Sequence, residues 1–126
     1  LALKYGGSIQ DWLITSKTIK ATDGSGNTAL HYAAEWEYSD AIVALLQKGA
    51  DIHTKNANGE TALFNAVKTN NPNIIQLIVD GGADLSVRDN LGSVPLHTAV
   101  RWDAEKSVMK LIELGVDVNA QNIAGS

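Results

Sequence analysis

The stretch "GNTALHYAA" at Gly26–Ala34 returns twice in altered form. The later copies are "GETALFNAV" at Gly59–Val67 and "GSVPLHTAV" at Gly92–Val100, and each copy begins 33 residues after the one before. The fifth residue is leucine and the eighth is alanine in all three copies. A fixed period of this length indicates a tandem array of supersecondary units, in which each unit buries its apolar faces against its neighbours.

A second segment repeats with the same period. It reads "LLQKGADIH" from residue 45, "IVDGGADLS" from residue 78 and "LIELGVDVN" from residue 111. A glycine and an aspartate stay in register in all three copies, and Gly125 extends the first glycine column by one more period. The repeated columns are Gly49, Gly82 and Gly115, and Asp51, Asp84 and Asp117.

Each unit has the sequence features of a first helix just after the glycine column. Thr28 and Thr61 lie where a hydroxyl can accept a hydrogen bond from a free backbone N–H at the helix start. Val94-Pro95 takes this place in the third unit. Proline suits the first helical turn because its missing N–H costs little there. We therefore predict a short first helix in every unit.

A second helix is predicted after the first, because apolar residues such as Ile42, Leu45 and Leu46 repeat at helical spacing. Glycine then ends it, since glycine takes the left-handed conformation without a steric penalty. The following segment, rich in Asn, Asp and Gly, suits an extended arm and a tight turn. The predicted second helices span residues 40–47, 73–80 and 105–113, and the glycines that end them are Gly49, Gly82 and Gly115.

The composition excludes several classes of function. The chain is 44% hydrophobic and 19% charged with a formal charge of −4, as in a globular domain. Its longest apolar runs, "AIVALL" from residue 41 and "IIQLIV" from residue 74, are far short of the ~20 residues that span a bilayer. We expect no nucleic acid partner, since the cations are not clustered. There is no cysteine for a disulfide, a zinc site or thiol chemistry.

The repeated segments resemble the ankyrin repeat, whose pattern is G-x-T-P-L-H-x-A-A, a second helix, and then L-L-x-x-G-A-D-V-N. "GNTALHYAA" with "LLQKGADIH" is similar to it over the whole unit, and the resemblance covers essentially the entire chain. It implies an all-α fold: a solenoid of stacked helix-turn-helix units with β-hairpin or loop tips. It also implies a protein-binding, non-catalytic role, and the fold favours a cytoplasmic location, although no targeting signal is visible.

We predict one ankyrin-repeat domain over residues 1–126. The predicted units are residues 1–22 (a partial repeat), 23–55, 56–88 and 89–121, with residues 122–126 starting a truncated repeat. Because both ends fall within a repeat and carry no polar cap, we expect a fragment of a longer array. Trp12 aligns with Leu45 of the second helix, so it is predicted to pack in the core.

No residue set in the sequence predicts catalysis, a metal site or a cofactor. The resemblance implies a structural role for His31 and His97, whose column holds Phe64 in the middle unit. His53 has no partner at metal-ligand spacing. The repeated aspartates lie a repeat apart, so they are expected to accept loop hydrogen bonds instead of forming a catalytic pair. "GSGN" from residue 24 lacks the strand and helix of a phosphate-binding loop.

The candidate site is a partner-binding surface at the ends of the first helices. In ankyrin repeats the two last columns of that helix and the hairpin tips face a concave groove. The predicted contacts are Glu35, Trp36, Lys68, Thr69, Arg101 and Trp102 at the helix ends, and Asn27, Glu60, Leu91 and Ser93 at the tips. Exposed tryptophan and arginine are enriched at binding hot spots.

Two alternatives stay open for the tryptophans. Both could instead fill space between first helices, as aromatic residues commonly do. Glu37 stands where the family usually has glycine, and glutamate disfavours the left-handed conformation. In this second alternative, the first helix ends differently in the first unit and swings Trp36 away from the groove.

Three functions remain. The first is a module that binds a protein along the groove and the tips. The second is a structural or regulatory segment of a larger enzyme or channel, packing within its own chain. Nucleotide stacking on a tryptophan pair is the third, and the acidic balance argues against it.

Overall fold

In the computed structural model of the chain, the structure describes residues 19–116 and 118. The described part forms six α-helices and contains no β-strand. The predictions for Trp12, Asp117 and Gly125, for residues 1–18 of the partial unit at residues 1–22, and for the truncated unit at residues 122–126 lie outside it. The helices are α1 (Ala29–Glu35), α2 (Ser39–Gln47), α3 (Ala62–Lys68), α4 (Pro72–Asp80), α5 (Pro95–Arg101) and α6 (Glu105–Glu113).

The helices pack as two rows, with two helices in each unit as predicted. The first helices form one row, in which α3 contacts both α1 and α5. The second helices form the other row, in which α4 contacts both α2 and α6. Each first helix also packs on the second helix of its own unit. Every unit therefore covers the apolar face of the next one.

The core lies between the two rows and follows the repeated columns of the sequence. Leu30, Leu63 and Leu96 are buried on the first helices. Leu45, Ile78 and Leu111 are buried on the second helices. The middle unit has neighbours on both sides, and from Thr61 to Val67 every residue is buried. Burial in this fold therefore depends on the neighbouring units as well as on the apolar pattern.

The starts of the first helices confirm two predictions and contradict one. The Thr28 hydroxyl accepts a bond from the His31 N–H at 3.4 Å, and Pro95 occupies the first turn of α5. Thr61 is the N-cap of α3, but its side chain makes no capping hydrogen bond. The ring nitrogen of His31 lies 2.9 Å from the Thr28 hydroxyl, and Phe64 offers Thr61 no such partner.

The second helices end as the sequence predicts. Gly49, Gly82 and Gly115 have φ values of 95°, 101° and 92°, in the left-handed region. The Gly49 N–H donates to Leu46 and the Ala50 N–H donates back to Leu45, the paired bonds of a Schellman motif. Glycine is needed here because a side chain is strained at this φ.

Tight turns connect the units at the tips, and one polar column that the sequence reasoning missed shapes them. The Asp23 carboxylate accepts from the N–H groups of Ser25 and Asn27, both at 2.9 Å. Asn56 and Asp89 repeat the arrangement in the next two units. A column of Asp, Asn and Asp three residues before the glycine was visible as an Asx-turn pattern. Backbone bonds then link successive tips, from Ala57 N–H to Ser25 and from Asn90 N–H to Asn58.

Candidate protein-binding surface

Trp36 and Trp102 occupy the same backbone position at the ends of α1 and α5. Their φ and ψ angles are −93° and 4° for Trp36 and −90° and 3° for Trp102. Glu37 follows with a φ of 60°, close to the 54° of Asp103. The alternative in which the helix of the first unit ends differently at Glu37 is therefore wrong.

Hydrogen bonds explain why glutamate adopts this conformation. The Tyr38 N–H donates to Ala33 at 2.9 Å and the Glu37 N–H donates to Ala34 at 3.2 Å, which forms a Schellman motif. The third unit makes the same two bonds, from Ala104 and Asp103. The helix-end bonds and the packing of α2 outweigh the cost of placing glutamate in the left-handed conformation.

Both tryptophans are exposed, with 55% of the surface of Trp36 and 57% of Trp102 accessible. The alternative that they fill space between the first helices is therefore wrong. Tryptophan is among the residue types enriched at protein-binding hot spots. Leu91, predicted at a tip, is also exposed, at 62%.

Two tyrosines position the ring of Trp36. The Tyr32 ring lies 5.0 Å from it and the Tyr38 ring lies 5.9 Å away, edge to face. The Tyr32 hydroxyl donates to the Asp23 carboxylate, which raises the pKa of Tyr32 and lowers that of Asp23. Sequence reasoning missed both tyrosines, although Tyr32 lies four residues before Trp36, a spacing that brings side chains together on a helix.

Two cationic side chains, Lys68 and Arg101, lie close to Trp102 in space or in sequence. Lys68 Nζ lies 5.3 Å from the centroid of the Trp102 ring and 2.9 Å from a Glu60 carboxylate oxygen. Arg101 donates to the Ser93 hydroxyl at 2.9 Å. These bonds join α3 and α5 to the tip turns that precede them.

Glu60 and Ser93 therefore differ from their predicted role as direct contacts at the tips. Glu60 is only 9% exposed and Ser93 is fully buried. Their side chains hold Lys68 and Arg101 in place instead. The turn N–H groups bonded to Asn56 and Asp89 draw these two residues inward.

The remaining predicted contacts are held by side-chain hydrogen bonds, two of which come from the following unit. Thr69 ends α3, is half-buried, and donates its hydroxyl to the Ala66 carbonyl at 2.6 Å. Asn27 is also half-buried and accepts from the Asn56 amide at 2.9 Å. Glu35 is exposed and accepts from the Asn65 amide at 3.4 Å.

The histidines confirm the structural role that the resemblance implies. His31 is buried, its Nδ1 accepts from the Thr28 N–H at 3.0 Å, and its Nε2 lies 2.8 Å from the Glu60 carbonyl. Since Nδ1 accepts, Nε2 carries the proton and donates to that carbonyl. Burial lowers the pKa of His31, so the ring is neutral at neutral pH. His97 accepts from the Val94 N–H at 3.3 Å in the same way.

The other polar candidates have local partners too. Asp51 accepts from the His53 N–H and Asp84 from the Ser86 N–H, each at 2.9 Å, which confirms their role as loop acceptors. In the "GSGN" turn the Asp23 carboxylate occupies the free N–H groups, so an arriving phosphate would meet a negative charge. Within residues 19–116, no group of three His, Asp or Glu residues is placed to hold a metal ion.

A comparison with known families decides the classification. The family model for ankyrin repeats (3 copies) matches residues 1–56 and 39–122. The chain belongs to the ankyrin-repeat family. Ankyrin repeats are in general protein–protein interaction modules and are typically non-catalytic. No curated protein sequence matches the chain.

A cleft elsewhere on this ankyrin-repeat protein is separate from the tryptophan surface. It has a volume of about 460 Å³ and lies between α4 and α6, where Pro72, Met109 and Lys110 line it. None of the ten predicted contacts lines this cleft. In the described part of the chain, no helix has the length and apolar content to cross a membrane.

Proposed function

We propose that this ankyrin-repeat protein binds a protein partner, without catalysis, along a concave groove formed by the ends of α1, α3 and α5 and by the tips. In this proposal the units stack as a solenoid and the tips act as hairpins. The observation that carries it is the pair of exposed tryptophans, Trp36 and Trp102, at one backbone position two units apart.

The chemistry of these residues fits protein recognition. Tryptophan and arginine supply large, partly polar contact surfaces and dominate measured hot spots. Arg101 and Lys68 are each fixed by a side chain of a tip, so little conformational entropy is lost when a partner covers them. Glu60 and Ser93 act in this proposal as positioning residues.

A specific observation also favours the second candidate, a segment that packs within its own chain. Val67 is fully buried, whereas Val100, its equivalent in the third unit, is 64% exposed. Met109 and Ile112 of the same unit are 65% and 47% exposed. This apolar face suits coverage by a further repeat of a longer array.

The experiment is an affinity capture from a lysate of the source cells, followed by quantitative binding of the purified captured protein. Trp102→Ala is expected to weaken binding by about 30-fold or more, the scale of a hot spot. Trp36→Ala together with Trp102→Ala is expected to abolish capture.

Met109→Ala is the matched control, since it removes an exposed apolar side chain away from the helix ends. Capture that survives the double tryptophan change, with the fold intact by circular dichroism, contradicts the proposed surface. Loss of binding by Val100→Asp alone would place the partner contact on the exposed apolar side chains of the third unit instead.

A further inference from the structure

The two exposed tryptophans differ in their electrostatic surroundings. Residues 23–40 contain four carboxylates and no lysine or arginine. Trp102 instead follows Arg101 and lies beneath Lys68. The two ends of the proposed surface therefore differ in the charges that they present. The four carboxylates in this segment of the sequence belong to Asp23, Glu35, Glu37 and Asp40.

The two glutamates beside Trp36 are held in place by neutral groups. Asn65 donates its amide to Glu35 at 3.4 Å, and Asn71 donates its amide to Glu37 at 2.8 Å. Both amides come from the following unit. Within residues 19–116, the ion pairs join Lys68 to Glu60 and Lys110 to Glu113. The charges of Glu35 and Glu37 are thus oriented but not neutralised.

The ring of Trp36 completes a site for a cation. The face of an indole ring attracts cations through its quadrupole, and this protein uses that attraction itself where Lys68 lies over Trp102. At Trp36 the neighbouring rings are Tyr32 and Tyr38, which fix its orientation and leave more than half of its surface open.

We infer that Trp36 and Tyr38, with Glu35 and Glu37, bind a basic side chain of the partner polypeptide, arginine in preference to lysine. The inference rests on the proposed function and names the chemistry of its partner. A guanidinium group stacks flat on an aromatic ring and presents several N–H donors to carboxylates, which the compact ammonium group does not. The negative charge of the site complements this group.

The test is the selection of a random 12-residue phage-displayed peptide library on the full chain. We expect the selected peptides to be enriched in arginine. The affinity of a synthetic selected peptide is expected to fall at least tenfold when its arginine becomes alanine, and less when it becomes lysine. Raising the salt concentration should weaken binding, since exposed charges are screened.

Variants of the protein localise the effect. The double change Glu35→Gln and Glu37→Gln keeps the size of both side chains and removes both charges. It is therefore expected to weaken peptide binding about tenfold and to remove the salt dependence of that binding. Trp36→Ala is expected to abolish binding. Met109→Ala is again the control, and urea unfolding of each variant confirms that the fold is retained.

The outcomes separate the inference from the proposed function. Peptides that depend on Trp36 or Trp102 but lack basic residues would overturn the inference and leave the proposed function intact. Equal or tighter binding of a trimethyl-lysine peptide would overturn the preference for arginine. If no peptide is selected, or if none depends on either tryptophan, both statements fail.

Discussion

Glu37 is the residue whose conformation is least expected from its chemistry. Its φ of 60° lies in the left-handed region, where a side chain other than Gly, Asn or Asp is disfavoured. Asn70 and Asp103 fill the same column in the other units, so the position favours residues that tolerate this region. Strain of this kind is often found at functional positions, which agrees with a recognition role for its carboxylate.

Replacing Glu37 with glycine is expected to stabilise the protein. The change removes the steric penalty of the left-handed conformation, about 1 kcal/mol. Part of that gain is lost, because glycine raises the entropy of the unfolded chain and the exposed bond from Asn71 disappears. The expected net gain is about 0.5 kcal/mol, measured by urea unfolding.

Glu37→Gln is the control for this prediction, since it keeps the strain and removes only the charge. Its stability should match that of the wild type. A glycine variant that is less stable than the glutamine variant would show that the Asn71 contact outweighs the strain.

At the residue scale, the sequence located the exposed tryptophans because their column lies just beyond the shared framework. It misjudged the backbone of Glu37, because the bonds that end α1 are set by the chain around it. Glu60 and Ser93 were misplaced as direct contacts for a similar reason. Both residues are buried, and their side chains bind the cations Lys68 and Arg101 of α3 and α5.

At the scale of an element, the start of α6 is completed by another unit. Ala104 is its N-cap and has no side-chain acceptor. Asn70, in the preceding unit, accepts instead from the N–H groups of Lys106 at 2.8 Å and Ser107 at 3.1 Å. By contrast, α4 has its own cap, since Asn71 accepts from the Asn73 N–H.

Asn70→Gly is therefore expected to destabilise the protein by about 1 kcal/mol, the usual cost of losing an N-cap side chain. Glycine fits the left-handed backbone at this position, so the loss comes from the cap and from the greater entropy of the unfolded chain. Urea unfolding measures the loss, and hydrogen exchange should show faster exchange of the Lys106 and Ser107 amides.

Asn70→Asp keeps an acceptor and adds a negative charge at the helix N-terminus, which is favourable. Its stability should equal or exceed that of the wild type. If the glycine variant shows unchanged exchange at these two amides, the cap from Asn70 does not contribute to α6.

The sequence predicted the helices closely, because three aligned copies repeat the same apolar spacing and the same ending glycines. The cap supplied by Asn70 could not be predicted, because Lys106 and Ser107 lie 36 and 37 residues after it in the chain and no local pattern joins them. The missing capping bond of Thr61 is a local matter by contrast, because Phe64, three residues later, replaces the histidine of the other units.

At the scale of the whole molecule, the position of a unit in the stack decides what the same side chain contributes. Val67 and Val100 are equivalent in sequence, but the first is fully buried and the second is 64% exposed. The Val67 carbonyl also accepts the Ser107 hydroxyl of the next unit at 2.6 Å. The middle unit is thus stabilised from both sides.

Val67→Ala is expected to lower the free energy of unfolding by about 2 kcal/mol, because it removes two buried methyl groups and leaves a cavity. Val100→Ala, the same change on the exposed face, should alter stability by less than about 0.5 kcal/mol. Urea unfolding of the two variants gives the comparison directly. Equal losses in both would contradict the stacking of the units seen here.

The sequence by itself determined the family, the two helices of each unit, the ending glycines and the column that holds Trp36 and Trp102. These features repeat, and local spacing encodes them. Tertiary structure alone decided the contact of Tyr38 with the Trp36 ring, the bonds that orient Glu35 and Glu37, and the approach of Lys68 to Trp102. The physical reason is that these contacts join different units or follow a helix end, where packing between neighbours outweighs local preference.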